Sequence, residues 1–282
     1  MSFMKKALLL FTFFIFVVLI TLFLSQIYFI KQDSNKKLVK AAISTPTTYP
    51  TPTLIPTLTR TPTPTPIVLK NASYTIAIFG DSMVDTMGEK LEYLQKNLSD
   101  KYPQTKFNLY NYGIGGQNIE QGLARFESSF VNRERQYPPI PVLLPDVLII
   151  GSFAYNPFPT HDRNKHYALL KDLIIKARNV SPNIYLLAEI APLKIGFGKG
   201  KNGVNMEESV AFTHASHIVE QLDDVINLSN EENIPLINVY YESRSDGSFG
   251  NPYLVNSDDG IHPSEAGHNF TAESIVEKIK LE

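Results

Sequence analysis

The sequence predicts an α/β domain over residues 67–282, with a five-stranded, mainly parallel sheet between two layers of helices. After Pro66, short apolar runs alternate with longer amphipathic ones, the rhythm of strands joined by helices. The apolar runs are continuous rather than alternating, which suits strands buried on both faces. Overall, 43% hydrophobic and 19% charged residues is ordinary for a globular fold.

The spacing predicts strands over Tyr74 to Phe79, Phe107 to Tyr112, Asp146 to Ile150, Ile184 to Ile190 and Pro235 to Val239. Helices are expected near Gly88 to Lys101, Ile119 to Val131, His166 to Asn179, Asn205 to Asn233 and Ser264 to Leu281. Right-handed crossovers place such helices on both faces of the sheet. Ligands of open parallel sheets bind at the carboxyl ends of the strands, so the residues just after each strand carry the search for function.

The first quarter of the chain is not globular sequence. Ala7 to Ile30 holds 24 residues without a charge, enough at about 1.5 Å per residue to cross a hydrocarbon core of about 30 Å. Bulky Tyr28, Phe29 and Ile30 stand where a signal peptidase needs small residues, so an uncleaved anchor is expected. Residues 1–40 are therefore assigned to the anchor and its flank, and 41–66 to a Pro/Thr-rich linker. Proline fixes φ and favours an extended, semi-rigid chain, so this linker reads as a stalk. Two lysines precede the span and Lys31, Lys36, Lys37 and Lys40 follow it, a count that places the domain in the cytoplasm. The stalk favours the opposite face, and an extracytoplasmic domain is the expectation.

A net charge of -2 gives no electrostatic case for a nucleic-acid partner. The absence of cysteine excludes disulfides, thiolate nucleophiles and cysteine-bound zinc. Chemistry must come from oxygen and imidazole groups.

Two motifs supply them. In IAIFGDSMVD, the first strand runs into Gly80-Asp81-Ser82 and then a helix, a bend that can project the Ser82 hydroxyl into the crevice. Near the C-terminus, Asp258-Asp259-Gly260-Ile261-His262 sets an aspartate three residues before a histidine. Asp259 can then hold Nδ1–H of His262 while Nε2 faces a serine. Either motif alone reads as a cap or a turn; together they form a nucleophile and its base.

A third stretch, Asn111-Tyr112-Gly113-Ile114-Gly115-Gly116 followed by Gln121-Gly122-Leu123-Ala124-Arg125, completes a resemblance to the SGNH/GDSL hydrolase family over about Tyr74 to Ile279. That resemblance implies a flavodoxin-like SGNH hydrolase fold and a serine esterase or lipase with Ser82, Asp259 and His262 as triad. It also implies an oxyanion hole from the backbone of Ser82 and Gly116, with Gly115 or Gly113 as substitutes if the loop is offset. The usual Gly-x-Asn-Asp block departs from the pattern, reading Gly151-Ser152-Phe153-Ala154-Tyr155-Asn156-Pro157, and Asn156 is the side-chain donor it offers. No cofactor or metal is expected. The expected partner is an acyl ester of a glycan or a lipid, and the oligomeric state is left open.

Other readings remain at this stage. A sugar hydroxyl in place of water would make the protein an acyltransferase. A glycan-binding domain without catalysis could use Phe153, Tyr155 and Phe158 as an apolar surface. A metal-dependent phosphoesterase could draw on Asp81, Asp85, Asp258, Asp259, His262 and His268. His161, His166, His214, His217 and His268 form no recognised metal spacing, and His214 and His217 read as ordinary helix residues.

Overall fold

The computed structural model describes residues 68–281. The predicted membrane segment and linker lie outside the described residues. Among those described, no helix is long and apolar enough to cross a membrane.

The chain runs from β1 (Ser73–Gly80) through a single-turn helix α1 (Ser82–Asp85) and α2 (Glu92–Lys101) to β2 (Lys106–Gly113). Helix α3 (Ile119–Arg125), a hairpin of β3 (Phe130–Asn132) and β4 (Arg135–Tyr137), and α4 (Ile140–Leu143) lead to β5 (Val147–Gly151). Then come α5 (Arg163–Arg178), β6 (Ile184–Ala188), α6 (Glu208–Glu231) and β7 (Leu236–Asn238). The short α7 (Val239–Glu242), a hairpin of β8 (Arg244–Asp246) and β9 (Phe249–Gly250), and a 3-10 turn (Pro252–Leu254) precede the last helix, α8 (Glu265–Lys278).

All five predicted strands form one parallel sheet in the order β2-β1-β5-β6-β7. Ile76, Ile78, Leu148, Ile149, Ile150, Leu186 and Leu187 are wholly buried, as continuous apolar runs between two helix layers must be. Each such side chain contributes roughly 1.5–3 kcal/mol. Helices α2 and α8 pack together, while α3, α5 and α6 form a second connected group.

The sheet reverses direction at β1, which pairs with β2 on one side and β5 on the other. Gly80 pairs with Gly113, and Phe79 with both Tyr112 and Ile150, so three strands end level. Their outgoing loops meet at this switch point, where doubly wound sheets bind ligands.

Several expected boundaries shift for local reasons. Helix α2 starts at Glu92 rather than Gly88 because Gly88 (φ 92) and Leu91 (φ 53) are left-handed. The helix expected to reach Val131 stops at Arg125. Phe126 and Phe130 have helical spacing, but Phe130 instead enters β3 and packs on Tyr112 and Tyr137. The last helix ends at Lys278 rather than Leu281, and α6 starts at Glu208 rather than Asn205.

Candidate active site

Ser82 opens the single turn α1 directly after β1. Asp81 is its N-cap and accepts the Met83 N–H (3.0 Å), while Asp85 and Thr86 donate backbone N–H groups to the carbonyls of Asp81 and Ser82. Neighbouring side chains brace this turn. Asn111 donates its amide to Val84 O (2.9 Å) and Gly88 O (2.7 Å), and Arg125 donates to Gly80 O (2.7 Å) with its guanidinium over the Phe79 ring. Burial lowers the Arg125 pKa to about 10. The QGLAR run thus has a structural use: its Arg holds the turn, and its Gly122 lets Phe153 in, since an added Cβ would lie 2.5 Å from that ring.

Asp85 forms a buried ion pair with Arg135 of β4 and accepts from Asn132 of β3 (3.2 Å). The hairpin therefore buttresses the turn that carries Ser82, a role that composition did not reveal.

Across the cleft, Asp259 Oδ2 lies 2.9 Å from His262 Nδ1. Its Oδ1 accepts the N–H groups of Ile261 (2.8 Å) and His262 (2.9 Å), so one carboxylate shapes the turn and aligns the ring. Burial pushes the Asp259 carboxyl up, but these hydrogen bonds outweigh it and leave the pKa below the ordinary value. Glycines lock this turn to the loop after β6: a Cβ on Gly260 would lie 2.3 Å from Gly196 O, and one on Gly200 2.3 Å from Asp258 O. Gly198 N–H donates to Gly260 O (3.1 Å), and Asn202 N–H to Asp258 O (2.7 Å).

Ser82, Gly115, Gly116, Asn156 and His262 line one cleft of about 620 Å³. Gly116 has φ +75, and a Cβ there would meet nothing within 4 Å, so its backbone faces open cleft. Gly113 is no substitute: its Cβ position is 2.2 Å from Asp85 N, packed against α1. Asn156 reaches the cleft despite the irregular loop, which turns through Phe153 at φ 57. Its Nδ2 donates one hydrogen to Asp81 Oδ2 (2.9 Å) and has a second to offer.

Glu189, expected within a strand reaching Ile190, is buried just after β6, which ends at Ala188. It accepts the Ser152 N–H (2.9 Å) and bonds the Ser152 hydroxyl, anchoring the root of the Asn156 loop. Burial and the nearby Asp81 carboxylate push its pKa up to about 8. Burial also raises the Asp81 pKa, opposed in part by hydrogen bonds from Met83 N–H and Asn156, so the pair retains a proton that its members lose in the unfolded chain. The folded chain holds this proton more tightly than the unfolded chain does. Stability from the pair is therefore full below the ordinary value of 4.5 and is lost as pH rises through about 8. Thermal melts should show a fall in Tm across that window that is smaller in Glu189→Gln, which keeps the acceptor for Ser152 N–H without ionising. Parallel profiles for the two proteins would contradict this assignment.

The structure revises three readings. Phe153 (0% exposed), Tyr155 (4%) and Phe158 (9%) are buried, so they offer no platform for a glycan-binding domain; Tyr155 also donates to Ile190 O (2.7 Å). Among the described residues, no group of three or more acidic or histidine side chains is arranged to hold a metal ion. Of those considered, Asp81 is committed to Met83 and Asn156, Asp85 to Arg135, and Asp259 to His262. His214, read as an ordinary helix residue, lines the cleft and stacks on Phe197 at 5.5 Å, and burial lowers its pKa. His217 stacks on His161 at 3.8 Å, and His161 pairs with Glu220 (2.7 Å).

A doubly wound α/β domain with an oriented Asp–His pair and a serine at its switch point defines a carboxylic ester hydrolase of SGNH type. Residues 76–275 match the family model of the GDSL-like lipase/acylhydrolases, and the chain belongs to that family. The domain is similar in fold to a lipase/acylhydrolase from Enterococcus faecalis (TM-score 0.53, 16% identity, covering 74% of this chain and 98% of that one). A GDSL-like lipase from Bacteroides thetaiotaomicron gives 0.52 and 15%, covering 72% and 86%. An acetylxylan esterase from Geobacillus stearothermophilus gives 0.51 and 18%, covering 74% and 95%. A search of curated protein sequences finds no match.

Proposed function

We propose that the chain is a membrane-anchored serine ester hydrolase that removes acyl groups, foremost O-acetyl groups of glycans, through an acyl-serine at Ser82. The observation that carries this reading is the Asp259–His262 pair, 2.9 Å apart, whose imidazole lines the same cleft as Ser82. The apolar run from Ala7 to Ile30 and the Pro/Thr spacer support an anchored, extracytoplasmic placement. The name of the Geobacillus neighbour, an acetylxylan esterase, points toward a sugar ester.

In this mechanism His262 Nε2 takes the Ser82 proton as Oγ attacks the ester carbonyl, and Asp259 stabilises the imidazolium. The carbonyl oxygen gains charge between the N–H groups of Ser82 and Gly116 and the Asn156 amide. Collapse of the tetrahedral intermediate breaks the bond to the alcohol, which receives its proton from His262. Water, deprotonated by the same imidazole, then attacks the acyl-serine and releases the acid.

The Asn156 assignment has a graded consequence. Removing one oxyanion donor costs roughly 3–4 kcal/mol, so Asn156→Ala is expected to lower kcat about 10²- to 10³-fold with little change in KM. Steady-state kinetics of the full chain on a short-chain chromogenic ester test the reading as a whole. Chelator-insensitive turnover with this loss at Asn156 supports it, whereas chelator-sensitive turnover or an Asn156→Ala enzyme of full activity contradicts it.

A further inference from the structure

The His262 side chain borders two depressions. One is the cleft with Ser82; the other, of about 990 Å³, lies against Asp259 and His262 and is bounded by Thr86, Tyr93, Tyr253, Asn256, Glu265 and His268. Both lie within the roughly 300–1,000 Å³ typical of small-ligand sites.

The Ser82 cleft carries a cluster of Phe197, Val204, Met206 and Ile261 beside polar Asn118, Gln121 and His214. The second groove sets Tyr93 and Tyr253 and short polar and charged side chains beside Pro252, Val255 and Pro263. Tyr253 is 73% exposed, and Tyr93 stacks on His268 at 6.3 Å with ring planes 14° apart. The Nδ1 of His268 is shielded from solvent and has no hydrogen-bond partner among the described residues. Burial and the adjacent His262 push the His268 pKa down to about 4, so its ring is neutral and able to both donate and accept.

These features match a hydroxylated ring. Aromatic faces cover its C–H surface, while amide, hydroxyl and carboxylate groups take its hydroxyls. An aliphatic chain would leave those polar groups desolvated without partners. The mechanism adds a directional constraint, because the leaving alcohol takes its proton from His262 and so must sit beside that ring.

We propose that this groove is the alcohol-side subsite and binds a pyranose ring of the substrate, leaving the Ser82 cleft to the acyl group. This rests on the serine esterase reading and assigns the sugar of its ester to a particular groove.

The test holds the acyl group constant and varies the alcohol. The full-length enzyme and its Tyr253→Ala variant are assayed on 4-nitrophenyl acetate, glycerol triacetate and partially O-acetylated xylotriose and chitotriose. The wild type should favour at least one acetylated trisaccharide over glycerol triacetate. In Tyr253→Ala the ratio of kcat/KM on that sugar to kcat/KM on 4-nitrophenyl acetate should fall about tenfold, the equivalent of a lost stacking contact of roughly 1.4 kcal/mol. Because Tyr253 is largely exposed, its truncation should spare the fold, which circular dichroism checks. Calorimetry supplies a second readout: the favoured sugar ester should bind full-length Ser82→Ala, and more weakly once Tyr253→Ala is added. An unchanged ratio, or a preference for glycerol triacetate over both sugars, overturns the subsite. Inertness of the folded wild type toward all four esters instead overturns the esterase reading beneath it.

Discussion

Ser82→Ala is expected to reduce kcat/KM on any ester by at least about 10⁴-fold, the largest effect of any single change in this chain. The size follows from the mechanism: without Oγ there is no acyl-enzyme, and the remaining oxyanion donors and binding groups speed only direct attack by water. The fold should tolerate the change. The contacts that hold the turn use the Ser82 carbonyl, the Asp81 side chain and the backbone of Val84 and Gly88. Equal melting temperatures beside the activity loss would separate chemistry from stability. Residual activity within tenfold of wild type would mean that another group is the nucleophile.

Asp259→Asn should come close behind, with a loss of about 10⁴-fold in kcat. The substitution is nearly isosteric, and an asparagine oxygen can still accept the N–H groups of Ile261 and His262 that now bond Oδ1. The amide nitrogen would then face His262 Nδ1 and donate where the carboxylate accepts, favouring the tautomer whose Nε2 carries the proton. Such an imidazole cannot deprotonate Ser82. The turn would be kept and the base lost, a combination read from kcat beside a binding measurement. A loss under tenfold would show that the Asp259–His262 contact serves the turn alone.

Much of this was legible in the sequence because buried parallel strands leave unbroken apolar runs, and all five were recognised. Ser82, Asp259 and His262 stood out because GDS after a strand and Asp-x-x-His near the end are short, local patterns. Asn156 was singled out even though its loop departs from the family pattern, and the structure places it at the cleft. What escaped depends on contacts across distance. Glu189 follows a strand with no motif around it, and its meaning comes from Ser152, 37 positions away. Phe126 and Phe130 have helical spacing, yet burial of Phe130 against Tyr112 and the pairing of Arg135 with Asp85 favour a hairpin there. Gly200 and Gly260 look like loose loop glycines until the loops they join are seen touching. Phe153, Tyr155 and Phe158 were open between a sugar-binding surface and core packing, because single-sequence patterning cannot distinguish a loop that folds inward from one that faces water; the structure buries all three.

The most direct test of the central claim is to trap the acyl-enzyme. Full-length protein mixed with 4-nitrophenyl acetate and quenched in acid within the first turnover should yield one acetyl group, and peptide mass spectrometry should place it on Ser82. Rapid turnover with no covalent acetyl, or with the acetyl on a different residue, would contradict the account.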